Sequence, residues 1–117
     1  MNYQPGTHLI ATLISSDDAK LRVYHSFKQF LDTLIDQHRL KKLGEVYHDF
    51  SPAGFTGVAC LSESHISIHT WPEFNKINID IYLSNYQRQN DGTVSDIFDS
   101  LVQWFDATVQ AETKIRR

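Results

Sequence analysis

A single cysteine, no long apolar run and no gathering of basic charge are the first things missing from this 117-residue chain. Cys60 has no partner for an internal disulfide, which agrees with a reducing compartment. Within "GVACL" it reads as a small core residue rather than a nucleophile. The net charge of -3 and the scattered positives leave no field for a polyanion, so no nucleic-acid partner is expected. Apolar stretches are only a few residues long, and "MNYQPGTHLIATLISSDD" has no basic segment ahead of an apolar core. Neither a membrane span nor a signal peptide is expected, and the reading is cytoplasmic. Linkers, repeats and low-complexity segments are also missing.

What is present is a globular composition, 41% hydrophobic and 12% aromatic, in a length that suits one domain, residues 1–117. "THLIATLI", Thr7 to Ile14, reads as a strand, after which Ser16 or Asp17 offers a helix N-cap. Leu21, Tyr24, Phe27, Phe30, Leu31, Leu34 and Ile35 recur at helical spacing and predict one long amphipathic helix to about Arg39. "LGEVYHDF" and "FTGVACLS" read as strands broken by "SPAG". "HISIHTW" and "KINIDIYLS" alternate with period two. "NYQRQNDGT" is turn-rich, a second helix is expected from about Val94, and the short tail leaves room for an abbreviated edge strand.

This order predicts an α+β two-layer sandwich, an antiparallel sheet with two helices on one face. Ile66, Ile68, Ile77, Ile79 and Ile81 then point at the helices. His65, Ser67, His69, Asn78, Asp80, Tyr82 and Ser84 point away. Such a row is compatible with an ordinary solvent face. Its content, however, is suited to hydrogen bonding and proton transfer, where Lys, Glu and Thr would be usual. The expectation is a functional face covered by a second copy, a homodimer with an αββα four-layer arrangement.

"SESHISIHTWPE", Ser62 to Glu73, concentrates this chemistry. His65 and His69 are four apart, which on a strand separates them by roughly 13 Å, too far for one ion. With no HExxH motif and no cysteine cluster, no metal is expected. A Ser-His-Asp hydrolase lacks its GxSxG elbow.

"LSESHISIHTWPE" closely resembles the processing and active-site segment of the bacterial and archaeal S-adenosylmethionine decarboxylase proenzymes, and the likeness extends to "GTHLIA" and "GFTGVA". The resemblance implies that the Glu63–Ser64 bond breaks by itself, giving chains 1–63 and 64–117, and that Ser64 becomes a pyruvoyl group. That ketone condenses with the amine of a small-molecule substrate and takes up electrons as carbon dioxide leaves, so no external cofactor is needed. The product would be decarboxylated S-adenosylmethionine for spermidine synthesis, made by a homodimer of cleaved chain pairs. His69 matches the residue that removes a proton during processing, a role that suits an imidazole with a reference pKa of about 6.5. A bend near Ser64 is required for the two to meet. Glu73 matches the carboxylate that holds the ribose hydroxyls, and His65 is counted with it among the substrate-binding residues. Trp71 reads as core.

Three positions depart from the family pattern. Thr56 replaces a serine that assists processing, with the same hydrogen-bonding groups but a stiffer side chain. Thr12 stands where an acidic residue is common. Ser84 replaces the catalytic cysteine that reprotonates the substrate carbon. A thiol has a pKa of about 8.5 and a serine hydroxyl is a far weaker acid, so Tyr82, His65 or a water would have to donate instead. The departures keep two alternatives: a related pyruvoyl enzyme acting on ornithine or arginine, and a non-catalytic paralogue.

Overall fold

Period-two alternation decides which side chains go inside. The chain is described by a computed structural model over residues 3–86 and 88–117. Met1 and Asn2, at the head of the segment read for a signal peptide, and Gln87, in the turn-rich stretch, lie outside the described residues. The elements are β1 (Thr7–Ile14), α1 (Asp18–Arg22), α2 (His25–Gln37), β2 (Lys42–Asp49), β3 (Phe55–Leu61), β4 (Ser64–Trp71), a 3-10 turn (Pro72–Phe74), β5 (Lys76–Leu83), α3 (Asp91–Trp104) and β6 (Thr108–Arg116). The strands form one antiparallel sheet in the order β2-β3-β4-β5-β1-β6. Leu9, Leu13, Ile66, Ile68, Ile77, Ile79 and Ile81 are buried on one face. They meet Leu21, Phe27, Leu31, Ile97, Leu101 and Phe105 from the helices, so the α+β two-layer expectation holds.

Several expectations need correction. The single long helix is two: Val23 is extended at φ -138° and ψ 155°, and α2 starts afresh with the Tyr24 amide donating to Asp49 Oδ1 at 2.8 Å. The break frees the Leu21 carbonyl, which accepts from the Thr70 hydroxyl at 2.8 Å. The final helix begins at Asp91, three residues before Val94. The edge strand is not abbreviated, because β6 runs nine residues and pairs with β1 along its length. Cys60 and Trp71 are exposed rather than core. Phe55, Gly57, Ala59 and Leu61 take the inward positions of β3, and Ile66, Ile68 and Thr70 those of β4, so the intervening residues must face the other way.

Two glycines allow close approaches that any Cβ would block. A Cβ on Gly57 would lie 2.4 Å from the Tyr47 ring, which covers it from β2, and one on Gly6 would lie 2.3 Å from the Leu83 carbonyl and 2.9 Å from Ser84 Cα. Gly6 therefore lets the N-terminal segment lie directly on the end of β5. Among the described residues no helix is long and apolar enough to cross a membrane.

Candidate active site

The candidate residues gather at the two ends of β4. At its start, Leu61 pairs with Ser64, so Ser62 and Glu63 form a tight turn and the Glu63–Ser64 bond leaves its tip. Ser64 has φ 140°, a region almost confined to glycine, in which a residue with a Cβ costs about 1–3 kcal/mol. The Glu63 carbonyl accepts the Ser84 backbone amide at 2.8 Å, one step beyond the Ser64–Leu83 pair. Glu63 itself is buried, its carboxylate held by Arg88 and by the Asn90 side-chain amide.

The other end of β4 is open. His69 is exposed and pairs across the ladder with Thr56, whose hydroxyl lies 2.6 Å from His69 Nδ1 and 3.4 Å from the Ile68 carbonyl. When Thr56 donates to that carbonyl, its lone pair accepts the Nδ1 proton. Nε2 is then left with a free lone pair, the form of imidazole that can take a proton. Beside this pair a cleft of about 450 Å³ is lined by Phe50, Ala53, Phe55, Thr56, His69, Thr70, Trp71 and Glu73. Phe50 and Trp71 supply half-open aromatic faces and Glu73 an exposed carboxylate. A smaller cleft of about 280 Å³ on the far side of His69 is lined by Thr12, Ser67, Asn78 and Asp80 among others. There Thr12 donates to Asn78 Oδ1 at 2.9 Å.

Register sorts the open face into rows that cross the strands. Cys60, His65, Tyr82 and His8 form the first, Val58, Ser67, Asp80 and Ile10 the second, and Thr56, His69, Asn78 and Thr12 the third. The first row holds an aromatic cluster, with His8 5.4 Å from Tyr82 and 6.0 Å from His65 by ring centres. His8, His65 and Asp80 offer ligand atoms within 4.8 Å of one another. Arg117 donates to His8 Nδ1 at 3.1 Å, which leaves the His8 proton on Nε2, 3.9 Å from Asp80. An occupied Nδ1 and a protonated Nε2 oppose ligation there.

One sequence expectation fails within the single chain. Ser64 is bent, but β4 is continuous from Ser64 to Trp71, so five steps of extended strand separate Ser64 from His69. At about 3.3 Å per residue that is roughly 16 Å. Glu63, Ser64 and Ser84 come together; Thr56, His69 and Glu73 come together; the two groups do not. His65 lies in the first row, on the side of Ser64. Arg88, Asn90 and Phe50 were missed by sequence reasoning, the first two because a turn-rich stretch has no periodicity to point from.

Residues 7–117 match the family model described as S-adenosylmethionine decarboxylase. Relatives named S-adenosylmethionine decarboxylase proenzyme include that of Archaeoglobus fulgidus, 38% identical over 66% of this chain and 69% of the relative. The Sulfurihydrogenibium protein is 43% identical over 66% of this chain and the Thermoplasma volcanium protein 31% identical over 96%. The matched stretch is 83% of the Thermoplasma volcanium protein's length but only 58% of the Sulfurihydrogenibium protein's. The crystal structure of the adenosylmethionine decarboxylase from Aquifex aeolicus superimposes with a TM-score of 0.80 at 27% identity, covering 99% of this chain and 91% of that one.

Proposed function

Because the chain belongs to the S-adenosylmethionine decarboxylase family, we propose that it is a self-processing decarboxylase that cuts itself between Glu63 and Ser64 and works as a face-to-face pair. The observation that carries this reading is the state of the scissile bond. A strained Ser64 at the tip of a tight turn, its preceding carbonyl polarised by the Ser84 amide, is poised for attack by its own hydroxyl. As that carbonyl becomes tetrahedral, the same amide stabilises the charge that develops on its oxygen. The contact is made by the main chain, so a serine at position 84 in place of a cysteine leaves it intact. The pyruvoyl group formed from Ser64 supplies an electrophilic carbonyl and an electron sink for the substrate carboxylate to leave against.

His69 is the base, but roughly 16 Å of strand separates it from Ser64 in its own chain. A second copy closes that distance. The open face has Ile10, Val46, Val58 and Trp71 exposed among its polar groups, an apolar content that favours cover by another sheet. A two-fold axis lying between stacked sheets along the Val58–Ser67–Asp80–Ile10 row reverses the strands and keeps their order. The row of His65 then lies over the partner's row of Thr56 and His69, across the roughly 10 Å that separates packed sheets. Each site takes its bond from one copy and its base from the other.

The cleft beside His69 suits a nucleoside. Phe50 and Trp71 present faces for a purine and for a sulfonium cation, and the two oxygens of Glu73 match a ribose diol. Ser84 favours a second reading, in which a related pyruvoyl enzyme decarboxylates ornithine or arginine, because the thiol that would reprotonate a nucleoside substrate is missing. Intact-mass spectrometry of the purified protein tests the self-cleavage. Fragments 1–63 and 64–117, the latter starting with a ketone, are expected, and one full-length species after long incubation would refute it. Carbon dioxide release from S-adenosylmethionine against ornithine and arginine then separates the two substrates.

A further inference from the structure

The polar network around the scissile bond has its members on opposite sides of the cut. Arg88 Nε donates to Glu63 Oε2 at 3.3 Å and lies 3.2 Å from Oε1 in an ion pair, and the Asn90 side-chain amide donates to Oε2 as well. That amide also donates to the Ser84 carbonyl at 2.9 Å, and the Asn90 main-chain N–H donates to Asn85 Oδ1 at 2.6 Å. Arg88 Nη2 reaches the His38 and Arg39 carbonyls, both at 3.0 Å, where α2 ends. His38, Arg39 and Glu63 precede the bond; Ser84, Asn85, Arg88 and Asn90 follow it.

We propose that Arg88 and Asn90 are positioning residues of the cleavage, a clamp on the Glu63 side chain that keeps its carbonyl on the Ser84 amide and neutralises the side-chain carboxylate while Glu63 acquires a second one. The clamp rests on the self-cleavage reading. In the first step the Ser64 Oγ–carbonyl carbon bond forms, the C–N bond breaks and the hydroxyl proton passes to the departing amine. In the second a base removes the Ser64 Cα proton and Oγ leaves with the Glu63 acyl group as a carboxylate. The enamine left behind takes up water and loses ammonia to give the ketone, so no oxidant or reductant is consumed. Glu63, itself buried, thus ends with two carboxylates on one residue, and their like charges repel unless one of them is paired with a cation. Arg88, on the side-chain carboxylate, is that cation, and Asn90 fixes Glu63 to the main chain of Ser84 on the other side of the cut. The same bonds tie the new terminus of chain 1–63 to chain 64–117 after cleavage.

The test is the cleavage rate of Arg88→Met and Glu63→Gln, alone and combined, followed by intact mass with hydroxylamine to release any accumulated ester. Arg88→Met is expected to slow cleavage by about tenfold or more, the effect of one charge-assisted hydrogen bond, and to accumulate ester. In the Glu63→Gln background, where the repulsion is gone, the same substitution is expected to cost no more than about twofold. A role confined to the α2 carbonyls predicts equal costs in both backgrounds, and that result overturns the clamp. So does an Arg88→Met protein that cleaves at the wild-type rate. If Glu63→Gln is inert, added guanidinium decides the matter on Arg88→Ala: restored cleavage supports the clamp and no restoration overturns it. A wild-type chain that never cleaves overturns the self-cleavage reading beneath it, which is a separable failure.

Discussion

The two ends of β4 are built in opposite ways. At Ser64 the backbone is strained, the neighbouring carboxylate is buried and the scissile carbonyl has a fixed donor in the Ser84 amide. At His69 the imidazole is exposed, held by one hydroxyl and flanked by two clefts. A bond that must break once is favoured by rigid positioning, which holds the attacking and accepting groups in place before reaction. Under the proposed pairing, a base that reaches another copy and admits a ligand is favoured by exposure. Each end lacks what the other has, and the proposed second copy would bring the two together.

Substitutions at each end should separate these roles. The largest effect is expected from Ser64→Ala, which removes the attacking oxygen and should leave only full-length protein in the mass spectrum, with the fold intact by circular dichroism. Thr56→Val comes next: without the hydroxyl to fix the His69 tautomer, cleavage should slow by about tenfold, whereas Thr56→Ser should cleave almost normally. Glu73→Gln should leave cleavage unchanged and lower kcat/KM for a nucleoside substrate by about tenfold, chiefly through KM, because a charged acceptor to the diol is lost. An effect of Glu73→Gln on cleavage would place it in the processing machinery instead.

The smallest effect concerns pH. Burial holds His8 below its ordinary value of 6.5; Asp80 pulls it upward, and Arg117 and His65 add to the downward push. Between that lowered value and 6.5 the unfolded chain binds a proton that the folded chain refuses, so stability declines as pH falls below about 6.5. His8→Gln should flatten that decline in a denaturant titration at pH 5 to 7, and an unchanged slope would remove His8 from the cause.

Alternation made the sheet legible. The runs Ser64–Trp71 and Lys76–Leu83 put their isoleucines on one face and His65, Ser67, His69, Asn78, Asp80 and Tyr82 on the other, and the structure keeps that division, whereas in Thr7–Ile14 the leucines go inward and Ile10 joins the open face. The helix that breaks at Val23 was not legible, because its apolar spacing continues across the break. At the break the Tyr24 amide is taken up by a carboxylate, Asp49, supplied by β2 from 25 residues away. The motif named Ser64 and His69 but not their separation, since a bend and a continuous strand share the same residues. Arg88 and Asn90 had no pattern to betray them. Their role depends on where α3 and α2 meet the β3–β4 turn, which only the assembled chain determines.

The claim on which all of this turns is that bond and base belong to different copies, and co-expression of Ser64→Ala with a distinguishable His69→Ala chain tests it most directly. Neither chain should cut itself alone. Together, mixed pairs contain one site with an intact Ser64 and an intact His69, so the His69→Ala chain should yield fragments 1–63 and 64–117. If that chain stays whole in the mixture while wild-type protein is cleaved, base and bond lie within one copy and the account is contradicted.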